Sequence, residues 1–268
     1  MDLITISIPL TDLAILCLLA CCMVMFFVWR WAKKIGNAGV VDIFWALNFP
    51  LIALILLLLG EGWLPRRVLI GTMVITAGLR LTIHLGVRVL SHLDVEEGRY
   101  KQLRKEWAPH PDRKFFWFFQ AQAFSNALLA IPFFIITANT ETSFSPWEYA
   151  GAILWLIAVL GEGMADRQLA VFKKNPANKG KVCSTGLWNY SRHPNYFFEW
   201  LMWMSYLIFA LGSPHGYLAA ISPLIILYLL LRVTGIPATE EQSLRSKGDA
   251  FRAYQQTTSV FIPWFRKK

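Results

Sequence analysis

The sequence predicts an all-α fold, a polytopic membrane helical bundle of seven transmembrane helices in a single integral membrane domain. Three observations predict it. Hydrophobic residues make up 56% of the chain and charged residues only 16%, against about 25% charged in soluble domains. The apolar residues gather in seven stretches, 4–29, 40–59, 68–90, 115–137, 147–164, 195–211 and 217–232, close to the ~20 residues that a ~30 Å hydrocarbon core asks of a helix. The cations sort by connection: of 26 Lys and Arg, three follow the first stretch, six lie in 91–114, six in 165–194 and six beyond Thr234.

Taken in order, the first stretch reads as a retained helix, because Arg30, Lys33 and Lys34 follow it and no small-residue cleavage pattern closes it. Cys17, Cys21 and Cys22 lie within it and Cys183 is distant, so the cysteines read as packing residues without disulfide or metal-ligand spacing. The second stretch begins near Asp42. The third carries Arg80, His84 and Arg88 at steps of four, a basic stripe on one helix face. Gln120, Gln122 and Asn126 on the fourth are amides that bond neighbouring helices, with Gln120 also placed to line a cavity. The fifth ends near Asp166, the sixth starts at Pro194 and the seventh leaves at Arg232.

The connections on the opposite side carry only Arg66 and Arg67, so the positive-inside rule puts the N-terminus outside and the C-terminus in the cytoplasm. Seven helices require that arrangement. The net charge of +9 then lies mainly on the cytoplasmic face, where it sets topology and attracts anionic membrane lipid. Nucleic acid is excluded as a partner, since the cations are spread over membrane loops without a nucleic-acid-binding fold. No internal repeat stands out, and no feature calls for an obligate protein partner.

Ionisable groups within membrane helices are costly and usually line a functional cavity. In the expected orientation Asp42, Arg88, Asp166, the start of the sixth helix and Arg232 all fall within about two turns of the cytoplasmic face. That is a pocket open at one end, unlike the midplane site of a transporter. At the sixth helix, Pro194 suits the first turn, where its missing N–H costs nothing. The following amides leave N–H groups and a partial positive charge that receive anions, and Arg192 adds a planar fork of donors suited to phosphate. Asn195, Glu199, Met202 and Tyr206, spaced 4, 3 and 4, share one face. The alternatives are structural: Pro194 and its neighbours as a helix start alone, Arg80 in a buried pair with Asp42 or Glu199, and His84 as a hydrogen-bonded core histidine. Between the fifth and sixth stretches, Asp166, Arg167, Lys173, Lys174, Lys179 and Lys181 stand among the turn formers Asn175, Pro176, Asn178 and Gly180. Lysines beside turns suit phosphate oxygens, and Asp166 suits ribose hydroxyls.

The segments "VDIFWALNF" (41–49), "GLRLTIHLGVR" (78–88), "EEGRY" (96–100), "ADRQLAVFK" (165–173), "GLWNYSRHPNYFFEW" (186–200) and "FRAYQQTTSVFIPWF" (251–265), in that order, together resemble the bacterial membrane branch of the steroid 5-alpha-reductase family. The resemblance runs from about residue 37 to the C-terminus. It implies NADPH-dependent reduction of a conjugated carbon–carbon double bond in a lipid-soluble substrate, in a bacterial inner membrane. It also implies that residues 1–138 enclose the lipid and residues 139–268 hold NADPH. By matched position Asp166, Lys173, Lys181, Asn195, Glu199 and Arg232 are implied cofactor contacts, with Arg88 a looser match. Arg192 and His193 join that set on local chemistry, as do Asn178 in the basic loop and Tyr196 beside Asn195. The Gln–Glu pair and the Tyr with which the eukaryotic enzymes polarise a steroid ketone have no counterpart here. Enone activation is therefore expected from Asp42, Asn48, Arg80 or Tyr100, with Glu199 placed at the nicotinamide. Hydride chemistry belongs to the cofactor.

A rival reading is a membrane methyltransferase using S-adenosylmethionine, of the isoprenylcysteine methyltransferase type. "RHPNY" and the tail with Glu240, Glu241 and Tyr254 resemble that group. The lysines of 173–181 argue against it, having work with a cofactor's phosphates and little with one that lacks them. A lipid-binding protein without catalysis is the third reading, and it leaves the polar ring unused.

Overall fold

The computed structural model describes residues 8–96 and 98–267, and among these the elements are helices, with no strand. The chain divides into two compact units, one running to Phe144 and including Gly212–Leu218, the other made of Ser145–Leu211 and 219–268.

In the first unit α1 (Leu10–Ile35) ends where Gly36 turns left-handed at φ 70°, a conformation open to glycine at little cost. The chain reverses into α2 (Val40–Leu59), and α3 (Leu64–Leu90) returns along it. Pro50 sits inside α2, and Gly78 of α3 receives its ring: a Cβ at Gly78 would come 2.5 Å from Pro50 Cδ. The approach requires a residue without a side chain. The short α4 (Gly98–Glu106) is followed by α5 (Pro111–Leu129) and α6 (Ile131–Ala138). Arg66, one of the two cations expected on the far side, is 1% exposed. It donates to the carbonyls of Asn139 (3.0 Å), Glu141 (2.6 Å) and Ser143 (2.7 Å), ordering the loop after α6.

The second unit opens with α7 (Pro146–Lys174), whose Glu148 side chain accepts from the Ser145 amide at 2.7 Å and so caps the helix start. It packs antiparallel to α8 (Pro194–Ala210): Gly161 lies against the Phe198 ring and Gly151 against Phe209, each too close for a Cβ. Small residues at such contacts let membrane helices approach. Then follow α9 (Ile221–Tyr228), a π turn at Leu229–Val233 closed by the Thr234 amide on the Leu229 carbonyl at 2.9 Å, α10 (Ile236–Lys247) and α11 (Asp249–Thr257).

Among the described residues six stretches are long and apolar enough to cross a membrane: Leu10–Ile35, Val40–Leu59, Leu64–Leu90, Pro111–Ala138, Pro146–Lys174 and Gly216–Lys247. The protein is an integral membrane protein. The stretch expected as the sixth of seven is α8, which at 17 residues falls short of the usual span. The expected start of the first stretch, at residue 4, lies outside the described residues. The fourth is broken at Ala130, where Pro132 restarts the helix as α6. The fifth runs on to Lys174, so Asp166 and Lys173 ride on α7 instead of in a loop. Three helices, α4, α10 and α11, escaped the hydropathy reading because they are short and polar.

Candidate functional site

In the first unit a polar cluster forms where the start of α2 meets α4. Tyr100, 0% exposed, donates its hydroxyl to Asp42 Oδ1 at 2.6 Å, and Arg99 donates to the Tyr100 hydroxyl. Arg99 Nη2 also reaches Asp42 Oδ1 at 3.4 Å, and Arg88 Nη2 reaches Oδ2 at 3.3 Å. Burial pushes the Tyr100 phenol well above the ordinary tyrosine value, the Asp42 charge adds to this and Arg99 opposes it. The phenol therefore stays protonated and donates. α4 is itself stapled to the turn between α1 and α2: Arg104 grips Glu96 through Nε (2.9 Å) and Nη2 (2.8 Å), and Glu96 Oε1 accepts the Ala38 amide at 2.9 Å.

Asn48 lies elsewhere in this unit, fully buried, with Nδ2 donating to Asn126 Oδ1 at 2.9 Å while Asn126 donates to the Trp45 carbonyl. That contact joins two helices, as the amide-glue reading of Asn126 expects, and it takes one of the two Asn48 amide hydrogens. Arg80 has buried guanidinium atoms. Asp42, one of the two partners expected for Arg80, is engaged with Arg88, Arg99 and Tyr100.

In the second unit the polar segment 191–196 is a knot. Ser191 Oγ donates to the Phe261 carbonyl (2.8 Å) and accepts the His193 amide (3.1 Å), and the Arg192 amide donates to Ser259 O (2.8 Å). The Arg192 guanidinium turns to the C-terminal segment, donating from Nε to Glu240 Oε1 (2.7 Å) and from Nη1 to the carbonyls of Thr258 (2.7 Å) and Gln255 (3.0 Å). His193 Nε2 lies 3.1 Å from Glu240 Oε1, and Gln255 Nε2 donates to Oε2 at 2.7 Å. A carboxylate has no proton to give, so His193 carries its proton on Nε2 in this contact. The His193 ring stacks on Tyr196, 5.4 Å between centroids and 4° from parallel, and the Tyr196 hydroxyl lies 3.1 Å from Thr239 Oγ1. Arg192 and His193 thus hold the chain's own tail, where the sequence expected cofactor contacts, with the Arg192 fork on phosphate.

The start of α8 also reaches α7: Asn195 Nδ2 donates to Asp166 Oδ1 at 3.2 Å, while Asn195 Oδ1 is buried with no hydrogen-bond partner among the described residues. Lys173, Lys181 and Arg232 are exposed, and Asp166 and Glu199 are half-buried. Asn178 donates to the Phe172 carbonyl at 3.0 Å and caps the end of α7. The Cys183 thiol, in the same basic loop, is pushed up by burial, with Lys247 and Lys173 pulling the other way.

The profile of a family described as "Protein of unknown function (DUF1295)" matches residues 28–258. The chain belongs to the DUF1295 family. It is similar to "Uncharacterized protein C594.04c" of Schizosaccharomyces pombe, 26% identical over 263 residues, covering 87% of this chain and 74% of that protein. A shorter likeness, 38% over 76 residues, links 28% of this chain with 26% of "Probable O-methyltransferase ustE" of Ustilaginoidea virens. No solved structure matches significantly.

The DUF1295 match takes in the bonding side chains of both polar clusters, while the Ser259 and Phe261 carbonyls lie just beyond it. Arg99, Glu96 and Arg104 escape the sequence reading as site residues, although Glu96 and Arg99 stand in the quoted segment "EEGRY". Glu240 was read as one of a tail pair and not as the partner of Arg192. Glu162, 4% exposed on α7 one turn before Asp166, was missed altogether. The spacing of four between Glu162 and Asp166 was the available signal.

Proposed function

We propose that this chain reduces a conjugated carbon–carbon double bond with NADPH, acting on a 3-oxo-Δ4-steroid-like or other isoprenoid lipid enone. The observation that carries the reading is the Asp166–Asn195 joint. Asn195 gives one amide hydrogen to Asp166 and keeps a buried acceptor with no partner among the described residues; buried polar groups are rarely left so. A nucleotide ribose supplies hydroxyl donors, and Asp166 accepts from them as well. Lys173 and Lys181, exposed in the adjoining segment, suit the phosphates, and Glu199 and Arg232 complete the set. NADPH, when bound, supplies the hydride. The ordered motifs shared with steroid 5-alpha-reductases support the same assignment.

For the substrate carbonyl we assign the Asp42–Arg88–Arg99–Tyr100 cluster, with Arg80 deeper in α3. Arg88 and Arg99 keep roughly half of their side chains exposed while Asp42 fixes their heads. A positive group so held is preorganised for a developing enolate. We also propose seven spans, α8 included, with the N-terminus outside. At about 25 Å, α8 is nearly as long as the hydrocarbon core is thick.

The second reading, an S-adenosylmethionine-dependent methyltransferase, has one specific point in its favour, the likeness to the protein named as a probable O-methyltransferase. Titration of the detergent-purified chain with NADPH, NADH and S-adenosylmethionine decides between the two. NADPH is expected to bind most tightly, because the basic segment meets its extra phosphate. Binding of S-adenosylmethionine without NADPH would end the reductase reading.

A further inference from the structure

The C-terminal segment 258–267 is neither helix nor strand, yet it is firmly held. The Trp264 amide donates to the Tyr190 carbonyl at 2.9 Å and the Lys267 amide to the Thr257 carbonyl at 2.9 Å. Ser259 and Phe261 offer their carbonyls to the knot, and the Phe261 ring packs between Phe197 and Trp200. With the backbone fixed in this way, three large apolar side chains point outward: Ile262 is 58% exposed, Trp264 68% and Phe265 75%. Tyr190 extends the patch through an edge contact with Phe265, 6.2 Å between centroids. Arg266 and Lys267 follow at once, both exposed. A soluble surface seldom displays contiguous large apolar groups.

The position of the patch identifies its occupant. The knot lies at the start of α8 and beside Ala165, where the apolar part of α7 gives way to Asp166 and Arg167; the Ala165 carbonyl accepts from Trp188. The patch is therefore level with one end of the membrane-crossing helices of its own unit. Tryptophan and other aromatics prefer that level, with the ring among acyl chains and the polar edge among headgroups. Basic side chains next to them draw anionic headgroups. We propose that Tyr190, Ile262, Trp264 and Phe265 insert into the headgroup layer and that Arg266 and Lys267 bind anionic lipid there, so that the tail is a membrane-surface anchor tied to the knot by the hydrogen bonds above.

The test uses the full chain with a fluorophore on Phe265→Cys, reconstituted in vesicles of neutral phosphatidylcholine with or without phosphatidylglycerol. A second sample carries the label on Ala177→Cys, an exposed position in the same unit. Both replaced residues are exposed, so neither change burdens folding. The label at 265 should show blue-shifted emission, protection from aqueous iodide and quenching by lipids brominated near the headgroup, more strongly in the anionic vesicles; the label at 177 should show none of these. Replacing Arg266 or Lys267 by Gln should lower the ratio of inserted to lifted tail about fivefold per residue. Iodide access at 265 equal to that at 177 would overturn the proposal. So would protection that grows with protein density, which would mean a second copy covers the patch, or protection indifferent to anionic lipid.

Discussion

At Glu240 one carboxylate meets three side-chain donors, from Arg192, His193 and Gln255, the Arg192 contact being 2.7 Å. The arginine and glutamate side chains are 11% and 14% exposed, so water screens the pair little. Removing one partner of a buried pair leaves the other charge uncompensated, at a cost of about 3–5 kcal/mol. Glu240→Ala is therefore expected to lower the thermal midpoint in detergent sharply, and Glu240→Gln, which keeps an acceptor for Arg192, by less. Equal midpoints for both variants and the wild type would show the clamp to be idle. The pair also marks where the sequence was legible. Pro194 as a helix start and the polar crowd ahead of it could be read locally, because both are matters of a few neighbouring residues. The partner of Arg192 could not, since Glu240 lies in a charged segment that offers several equivalent acids until the chain is folded.

Among the elements, α4 is held in part by the staple between Arg104 and Glu96. Burial alone would raise the proton affinity of Glu96, but the two Arg104 hydrogen bonds, the Ala38 amide and the Arg104 charge outweigh it and hold the carboxyl below the ordinary glutamate value. A carboxyl lowered on folding adds stability that is complete above its unfolded value and fades as pH falls through the lower, folded one. The wild type is therefore expected to lose thermal stability at acid pH along a limb that Glu96→Gln lacks, the variant being less stable near neutrality and less sensitive to acid. Parallel melting-temperature profiles for the two proteins would remove the staple from the stability of α4. Helices of this kind were invisible to hydropathy: "GRYKQLRKE" has no apolar run, and what fixes it is Tyr100 on Asp42 and Glu96 on Ala38, contacts more than fifty residues apart in sequence. The long spans were legible for the opposite reason, each being dictated by its own apolar length. Their ends were less so, because α7 continues past its apolar part on helix-forming residues.

For the molecule as a whole, the proposed function divides its work between the two units. Asp42 and Arg80 belong to the first, and Asp166, Lys181 and Arg232 to the second. Substitutions in the first set are expected to reduce turnover while NADPH affinity stays almost unchanged. Those in the second should weaken NADPH binding about tenfold to a hundredfold, the worth of one charge-assisted hydrogen bond of about 1.5–3 kcal/mol. Equal weakening of NADPH binding by both sets, with folding intact, would defeat the division. The π turn at Leu229–Val233 has a different kind of consequence. It houses one residue more than an α-helical turn would, just where Arg232 stands. In a helix each residue adds about 100° of rotation, so losing one residue anywhere within α9 would swing everything after it to another face. Inside the π turn the same loss could be absorbed by reverting to ordinary helical winding, with α10 left in place. A one-residue gap here in an alignment would thus separate lineages by the heading of one arginine while the helices on either side stay in register.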